Sequence, residues 1–340
     1  MKFLSARLSK FPLPAACLLV VLAAPSINAA ETLQKLRLAY ASVTTAFAVP
    51  WITKEAGLFR RHGLDVEIVY IASGPRTIQT LVAGGVDVAA IGGGAGIDAK
   101  LAGADTVFIA VSVNRVLIYM VVAPEIRRIE DLRGKSIGGT RIGTLTDFFS
   151  RYYLRQAGLV PDRDVIVRGT GGLPETVAAL KAGQIQAGVF GFPAVLQARA
   201  AGFHVLVDYA TQGLRYPLSG LVVSQSLIRN REPIVRSFLE SIIEGTYRFK
   251  TDPAFAIDVM GRYTRTADRK ILGESQKVYA SAFERVPYPD PEDMKLVLTQ
   301  VGENNPRARG ADPRDFVEPR LIREIEASGF IKRLYGEPGK

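Results

Sequence analysis

The chain has 340 residues, of which 43 are lysine or arginine and 33 are aspartate or glutamate, so its formal net charge is +10. These charges are scattered. The sequence has no dense basic stripe with interleaved aromatic residues, which argues against a nucleic-acid-binding protein. The single cysteine is Cys17, so the chain beyond it offers no disulfide, thiolate metal ligand or cysteine nucleophile.

Residues 1–30 have the layout of a secretory signal peptide. Three cations precede an apolar run at about 11–24, and small residues at 27–30 provide a cleavage site after Ala29 or Ala30. This pattern predicts export to the periplasm, the alternative being a retained N-terminal anchor. Without the three leader cations, 40 basic residues face 33 acidic ones, and the net charge falls to +7.

The chain after the leader predicts strands that alternate with helices. In order, the sequence predicts a strand at 36–41, a helix that carries Trp51 and ends near Gly63, a strand at 64–70, a helix from Pro75 to Gly84 and a buried strand at 86–91. Two apolar strands follow at 105–113 and 116–123, and we expect the chain to cross there into a second unit.

The second unit repeats this alternation and is followed by a helical region. Its predicted elements are a strand near 131–138, a helix that runs to 159, a strand at 164–167, a helix at 174–182 and strands at 185–190, 205–208 and 218–224. From 232 onward we expect helices only, starting near 233, 252, 267, 291 and 321, with a disordered tail at 336–340.

One stretch of the first unit recurs 99 residues later in the second. Residues 77–92 align without a gap on residues 176–191, and Thr77 matches Thr176, Leu81 matches Leu180, and Gly92 matches Gly191. Such duplication predicts two similar α/β lobes that face one another.

Several segments resemble a known family of periplasmic solute-binding proteins, the sulfonate, nitrate and thiamine-precursor group. The resemblance rests on the segments Trp51–Glu67, Ser73-Gly74, Leu81–Ala89, Asp131–Lys135 and Leu180–Gly183. It implies the type II periplasmic-binding-protein fold, in which two pseudo-symmetric α/β lobes are joined by a two-strand hinge. On this basis we expect lobe 1 at 31–118, lobe 2 at 119–218, and a return to lobe 1 at 219–335.

The resemblance also implies a function and its partners. We expect a protein that captures a small organic solute, anionic and sulfonate-like, and delivers it to the permease and ATPase subunits of an ABC importer. An aromatic carboxylate or a pyrimidine is the alternative ligand, and a sensory module or an enzyme on the same fold is the alternative role. We expect a monomer with no cofactor, metal or catalytic residue.

The predicted ligand site lies in loops that follow strands, where helix N-termini leave N–H groups free. The residues predicted to contact ligand are Ser42, Thr44, Thr45, Ser73, Gly74, Gly93, Gly94, Arg141, Thr144, Thr146, Phe192 and Ser219. The competing explanations are helix capping for the hydroxyls and relief of packing for the glycines, while Ser219 lies on a presumed hinge strand.

Asp147, Trp51 and the two histidines are further residues with a possible role at the site. Asp147 departs from the hydroxyl-rich loop of related sulfonate binders, and it either forms a capping box with Thr144 or faces the cleft. Trp51 is expected in the core, although stacking on a ligand is the alternative. His62 and His204 are expected to be structural, because no second histidine stands at metal-ligand spacing.

Overall fold

The structure is a computed structural model that describes residues 32–336. The predicted signal peptide therefore lies outside the described residues, as does the predicted tail beyond Gly336. Within the described part of the chain, no helix is both long and apolar enough to span a membrane.

The described residues form two five-stranded sheets. The strands are β1 (Gln34–Tyr40), β2 (Leu64–Tyr70), β3 (Val88–Ile91), β4 (Thr106–Arg115), β5 (Tyr119–Val122), β6 (Ser136–Gly139), β7 (Ile166–Gly169), β8 (Ala187–Phe190), β9 (His204–Asp208) and β10 (Arg215–Ser224). The first sheet has the order β2-β1-β3-β10-β4, and the second has the order β7-β6-β8-β5-β9.

The helices divide between the two sheets. Those before the second sheet are α1 (Ala48–Glu55), α2 (Leu58–Arg61), α3 (Gly74–Val82) and α4 (Gly93–Leu101); those around it are α5 (Leu145–Gln156), α6 (Leu173–Lys181) and α7 (Ala194–Ala200). The C-terminal helices are α8 (Gln225–Thr251), α9 (Pro253–Thr264), α10 (Arg269–Ala282), α11 (Pro291–Gly302), α12 (Arg320–Ala327) and α13 (Phe330–Leu334). They pack on the first sheet and its helices. We call these elements the first lobe, and the second sheet with α5–α7 the second lobe.

The two sheets share one topology. In each, the second strand of the order pairs in parallel with both of its neighbours, β1 with β2 and β3, and β6 with β7 and β8. An antiparallel strand contributed by the crossing segment follows, β10 in the first sheet and β5 in the second. The predicted α/β fold with two pseudo-symmetric lobes is confirmed.

The duplication extends to individual hydrogen bonds. The Asp87 carboxylate accepts the Arg37 backbone N–H at 2.7 Å, and 99 residues later the Gln186 side-chain oxygen accepts the Ser136 N–H at 3.2 Å. Likewise Thr77 Oγ1 donates to the Ser73 carbonyl at 3.0 Å, and Thr176 donates to the Gly172 carbonyl at 2.8 Å. A buried helical threonine thus fastens the same turn in both lobes.

The chain crosses between the sheets twice. The first crossing runs from the end of β4 to Tyr119, where β5 begins, and the second runs from the end of β9 to Arg215, where β10 begins. Arg215 is already paired with Arg115 of β4. The chain therefore re-enters the first sheet before the boundary predicted at 218/219, because the ladder with β4 extends to the start of β10.

Helix α8 begins earlier than the helix predicted from Pro233. The Ser224 side chain caps it by accepting the Leu227 N–H at 3.1 Å, so helical structure starts directly after β10. Arg231 has non-helical angles (φ −140°, ψ 38°) two residues before Pro233. The proline explains this kink, since its ring disfavours helical geometry in the preceding turn. The predicted helix corresponds to the segment after the kink.

Candidate functional site

A cavity lies between the two lobes at the loops that follow their parallel strands. Its volume is about 100 Å³, and its lining includes residues from both lobes, Ile118 of the first crossing, and Tyr216 and Leu218 of β10. Gly92 after β3 and Gly191 after β8 both line it, and they are equivalent positions of the repeat. The duplicated unit therefore contributes the same strand end to the cavity from each side.

Ser73 supplies an unsatisfied hydroxyl on the first-lobe side of the cavity. The residue lines the cavity and is 6% exposed, and its Oγ is buried without a hydrogen-bond partner in the part of the chain that is described. Its backbone has φ 80° and ψ 140°, a region that non-glycine residues rarely adopt and that costs about 1–3 kcal/mol. Strained backbone beside an unpartnered polar group is typical of a binding site.

Further free hydroxyls line the same side. Ser42, Thr44 and Tyr279 all line the cavity, and none of their hydroxyls has a partner among residues 32–336. Tyr279 is 1% exposed. Burial raises the pKa of its hydroxyl, and the nearby Tyr119 raises it further, so the group stays neutral and can donate a hydrogen bond.

Three threonines line the second-lobe side as one hydrogen-bonded group. The hydroxyls of Thr140, Thr144 and Thr146 lie 3.1 Å from one another, and Thr146 also accepts the Thr140 N–H at 2.9 Å. Thr144 donates its proton to the Arg141 carbonyl at 2.6 Å. If Thr140 donates to Thr144, the Thr146 proton remains available to a bound molecule.

Asp147 holds the loop that carries these threonines. Its Oδ2 accepts the Gly143 N–H at 2.9 Å, and its Oδ1 accepts from Arg151 Nε at 2.8 Å. Thr144 is the helix N-cap residue but makes no side-chain cap hydrogen bond. Asp147 therefore neither completes the capping box considered above nor lines the cavity; it anchors the turn through Gly143.

The cavity is lined by uncharged groups, which include the first turns of four helices. Helices α3, α4, α5 and α6 all contribute residues of their first turn to the lining, and the first N–H groups of a helix have no partner within it. Each helix N-terminus acts as roughly half a positive charge. No residue of the lining is an aspartate, glutamate, lysine, arginine or histidine. The remaining wall is apolar and includes Phe47, Ile118, Leu145, Leu173 and Leu218.

The structure gathers most of the predicted contact residues around this cavity. Those that line it are Ser42, Thr44, Ser73, Gly74, Gly94, Thr144 and Thr146. Ligand contact by these side chains stays a prediction.

The other predicted residues lie behind or beside the cavity wall. Thr45 donates its backbone N–H to the Phe192 carbonyl at 2.9 Å, and the Phe192 ring packs edge-on against Tyr119 at 5.4 Å. A Cβ at Gly93 would lie 2.6 Å from Val297, which favours the packing explanation for this glycine.

Arg141 and Ser219 complete the set outside the lining. The Arg141 carbonyl accepts from Thr144, while its Nε is buried without a partner among the described residues. Ser219 is 5% exposed within β10. Trp51 is fully buried and stacked on Tyr263 with ring centroids 4.9 Å apart, so its expected core position is confirmed.

Tyr216 and Tyr279 are cavity residues that sequence reasoning did not select. Tyr216 lies on β10, and its hydroxyl donates to Gln300 Oε1 at 2.9 Å. Tyr279 lies on α10, far along the chain from every loop of the repeat. Neither residue lies in a recognisable motif. The sequence indicates only that the C-terminal segment returns to the first lobe, and this does not identify which of its residues reach the cavity.

The histidines take structural positions. His62 Nε2 lies 2.9 Å from Glu244 Oε2 on α8, and His204 begins β9. Within residues 32–336, no group of histidine, cysteine, aspartate and glutamate side chains is arranged to hold a metal ion.

Comparison with known proteins identifies relatives of this chain. Residues 29–262 match the NMT1-like family. A binding protein of Brucella abortus (strain 2308) is 26% identical over 262 residues, which cover 74% of this chain and 78% of the relative.

Two solved structures share the fold at low sequence identity. The aliphatic sulphonate-binding protein SsuA of Escherichia coli superimposes with a TM-score of 0.66 at 20% identity, covering 84% of this chain and 92% of that protein. The nitrate-binding protein NrtA of Synechocystis gives a TM-score of 0.70 at 16% identity, covering 87% and 89%. Both are periplasmic binding proteins, so the predicted periplasmic-binding-protein fold is confirmed.

Proposed function

Because the chain belongs to the NMT1-like family, we propose that it is the substrate-binding protein of an ABC importer and captures a small organic anion in the cavity between its lobes. The observation that carries this proposal is the cavity lined by free hydroxyls, with Ser73 held in a strained conformation beside it. The residues that would hold the ligand are Ser42, Thr44, Ser73, Thr144 and Thr146.

The chemistry of the lining supports an anionic ligand with a short apolar part. Helix N-termini and hydroxyls stabilise a sulfonate or carboxylate without a formal countercharge, while the apolar wall fits hydrocarbon. SsuA and NrtA are both named for anions, which agrees with this choice. We expect a dissociation constant of about 1 μM or tighter, equivalent to about −8 kcal/mol.

The remaining parts of the proposal concern location, partners and catalysis. The predicted signal peptide supports export to the periplasm, where the protein would act as a monomer and hand its ligand to a permease with its ATPase. We propose no catalytic role. The lining offers only hydroxyl groups, and the raised pKa of Tyr279 disfavours it as a general base.

A ligand panel tests the proposal. The freshly purified protein is first examined by native mass spectrometry for a retained small molecule, and its melting temperature is then measured with ethanesulfonate, nitrate, benzoate and uracil. A ligand that binds only the folded state raises the melting temperature as its concentration rises. We expect ethanesulfonate or benzoate to do so. Uracil as the sole stabilising compound would contradict the anion, and no retained molecule with no shift from any compound would contradict the binding function.

A further inference from the structure

Two side-chain contacts join the lobes without involving the lining of the cavity. Arg155 on α5 of the second lobe forms an ion pair with Glu303, which follows α11 of the first lobe, with Nη1 and Oε1 at 2.5 Å. Gln197 on α7 donates from Nε2 to Thr266 Oγ1 at 2.8 Å, and Thr266 lies between α9 and α10. None of these four residues lines the cavity.

The two bridges connect different pairs of elements. One holds the end of α5, whose first turn lines the cavity, and the other holds α7, which follows the cavity residue Gly191. Phe192, just before α7, also packs edge-on against Tyr279 of α10, with ring centroids 6.1 Å apart. Each bridge forms only when its two lobe surfaces meet, so both stabilise the arrangement seen here, which we call closed, over any arrangement in which these surfaces are apart, and they do so independently of any ligand.

We propose that these two bridges set the fraction of the protein that is closed before ligand binds, and that this fraction tunes the affinity of the site. In a two-state equilibrium, a contact made in only one state raises the population of that state. The measured dissociation constant of a ligand that binds the closed state is the intrinsic constant divided by the closed fraction. The affinity part of this inference rests on the proposed function, whereas the population part does not.

The exposure of the two bridges sets the size of the expected effects. The side chains of Arg155 and Glu303 are 45% and 30% exposed, and exposed ion pairs of this kind change an equilibrium by a factor of about 5 or less. Thr266 is 7% exposed, and loss of a hydrogen bond to a buried hydroxyl changes an equilibrium by about tenfold. The Gln197 bridge should therefore have the larger effect.

Ligand-free distance measurements test the population part. Spin labels are placed at Gln79→Cys in α3 and Lys181→Cys in α6, both exposed, in a Cys17→Ser background that removes the only native cysteine. We expect two spin-label distances, a short one from the closed arrangement and a long one from the open arrangement. Relative to wild type, the ratio of the short to the long population should fall about 2- to 5-fold in Glu303→Gln and about tenfold in Gln197→Ala. The reversed pair Arg155→Glu with Glu303→Arg should restore the wild-type ratio.

The matched control for charge is Glu292→Gln. Glu292 lies on α11, the helix that Glu303 directly follows, but it forms its ion pair with Lys295 of the same helix at 2.7 Å. The distance distribution between the spin labels should therefore not change in Glu292→Gln. About 1 M salt, at which the Debye length is about 3 Å, should lower the closed population of the wild type and leave Glu303→Gln unchanged. A distance distribution that is identical in wild type, Glu303→Gln and Gln197→Ala would overturn the inference.

Titration with ethanesulfonate separates this inference from the proposed function. If both hold, each variant weakens the affinity by the factor by which its closed fraction falls. If the distances change but ethanesulfonate and benzoate do not bind, the effect of the bridges on the closed population is confirmed and the proposed ligand class is wrong. If the ligand binds with equal affinity to all variants while the populations shift, the coupling between closure and affinity is contradicted.

Discussion

Ser73 lines the cavity in a backbone conformation that a serine rarely adopts. Its equivalent in the second lobe is Gly172, which has an ordinary extended φ of −150°, whereas Ser73 adopts φ 80° despite its side chain. A serine retained in this geometry, with its hydroxyl unpaired, costs stability twice. Ligand binding is the function that would offset this cost.

Two substitutions at Ser73 separate the hydroxyl from the strain. Ser73→Ala removes the hydroxyl and keeps the strain, while Ser73→Gly removes both. Both should weaken binding of ethanesulfonate about tenfold, because a hydrogen bond to a charged group is worth about 1.5 kcal/mol or more. Ser73→Gly should be more stable to urea than Ser73→Ala by about 1 kcal/mol. Unchanged affinity in both variants would exclude Ser73 from the site.

Asp293 is a buried carboxylate in the first lobe whose ionisation should affect stability. Its side chain is fully buried, its Oδ1 accepts from Arg215 Nε at 2.7 Å, and its Oδ2 has no partner in the described part of the chain. Burial raises the pKa of Asp293 to about 6, although Arg215 acts in the opposite direction. The missing partner of Oδ2 makes burial the stronger influence.

The sign of the resulting pH dependence follows from proton binding. Between about pH 4 and 6 the folded protein holds a proton on Asp293 that the unfolded chain has released, so this group adds stability as the pH falls through that range. We expect the free energy of unfolding of wild type, minus that of Asp293→Asn, to increase as the pH falls from 7 to 4. Urea denaturation of both proteins measures this difference, and a difference that is constant or decreases would show that Asp293 stays ionised.

At the scale of elements, the start of α5 links the stability of a loop to the cavity. Asp147 fastens Gly143 and Arg151, and the turn between them carries Thr144 and Thr146 into the lining. Asn can accept one of these hydrogen bonds well but lacks the charge that pairs with Arg151. The position of the threonines therefore depends on a residue that does not itself line the cavity.

The Asp147→Asn variant should lose both stability and affinity. We expect unfolding to be easier by about 1–2 kcal/mol, and binding of ethanesulfonate to be several-fold weaker. Asp162→Asn is the matched control, because Asp162 pairs with the same Arg151 at 2.5 Å but has no hydrogen bond to the 140–146 loop. It should lose stability and keep its affinity. Equal affinities for all three proteins in calorimetric titrations would show that the loop does not need Asp147.

The sequence was most informative about elements that occur twice. Thr77 and Thr176 were aligned by position alone, and they make equivalent hydrogen bonds to the turn before their helices. The role of Asp147 could not be predicted in the same way. A carboxylate three residues after the N-cap fits a capping box, but the N–H that it accepts belongs to Gly143, which has a positive φ of 78°. The spacing of Thr144 and Asp147 does not predict the φ angle of Gly143, so it could not predict this hydrogen bond.

At the scale of the whole molecule, the cavity depends on contacts between distant parts of the chain. Tyr279 reaches it from α10 and Leu218 from β10, and both positions depend on the return of the C-terminal segment to the first lobe. Periodicity predicts helices in that segment, but it does not predict which of their faces approaches the loops. The loops of the site were therefore predictable, and the aromatic and apolar walls were not.

The central claim is that a small organic anion binds between the lobes, and calorimetric titration of wild type and Thr44→Trp with ethanesulfonate and then benzoate tests it most directly. Thr44 lines the cavity, and an indole there would fill it. The exposed Thr251→Trp, at the end of α8, is the control for introducing the same side chain elsewhere. We predict 1:1 binding of at least one anion at about 1 μM or tighter by wild type and Thr251→Trp, and no binding by Thr44→Trp. Equal binding by all three proteins would contradict the cavity as the site, and binding by none would contradict the anion.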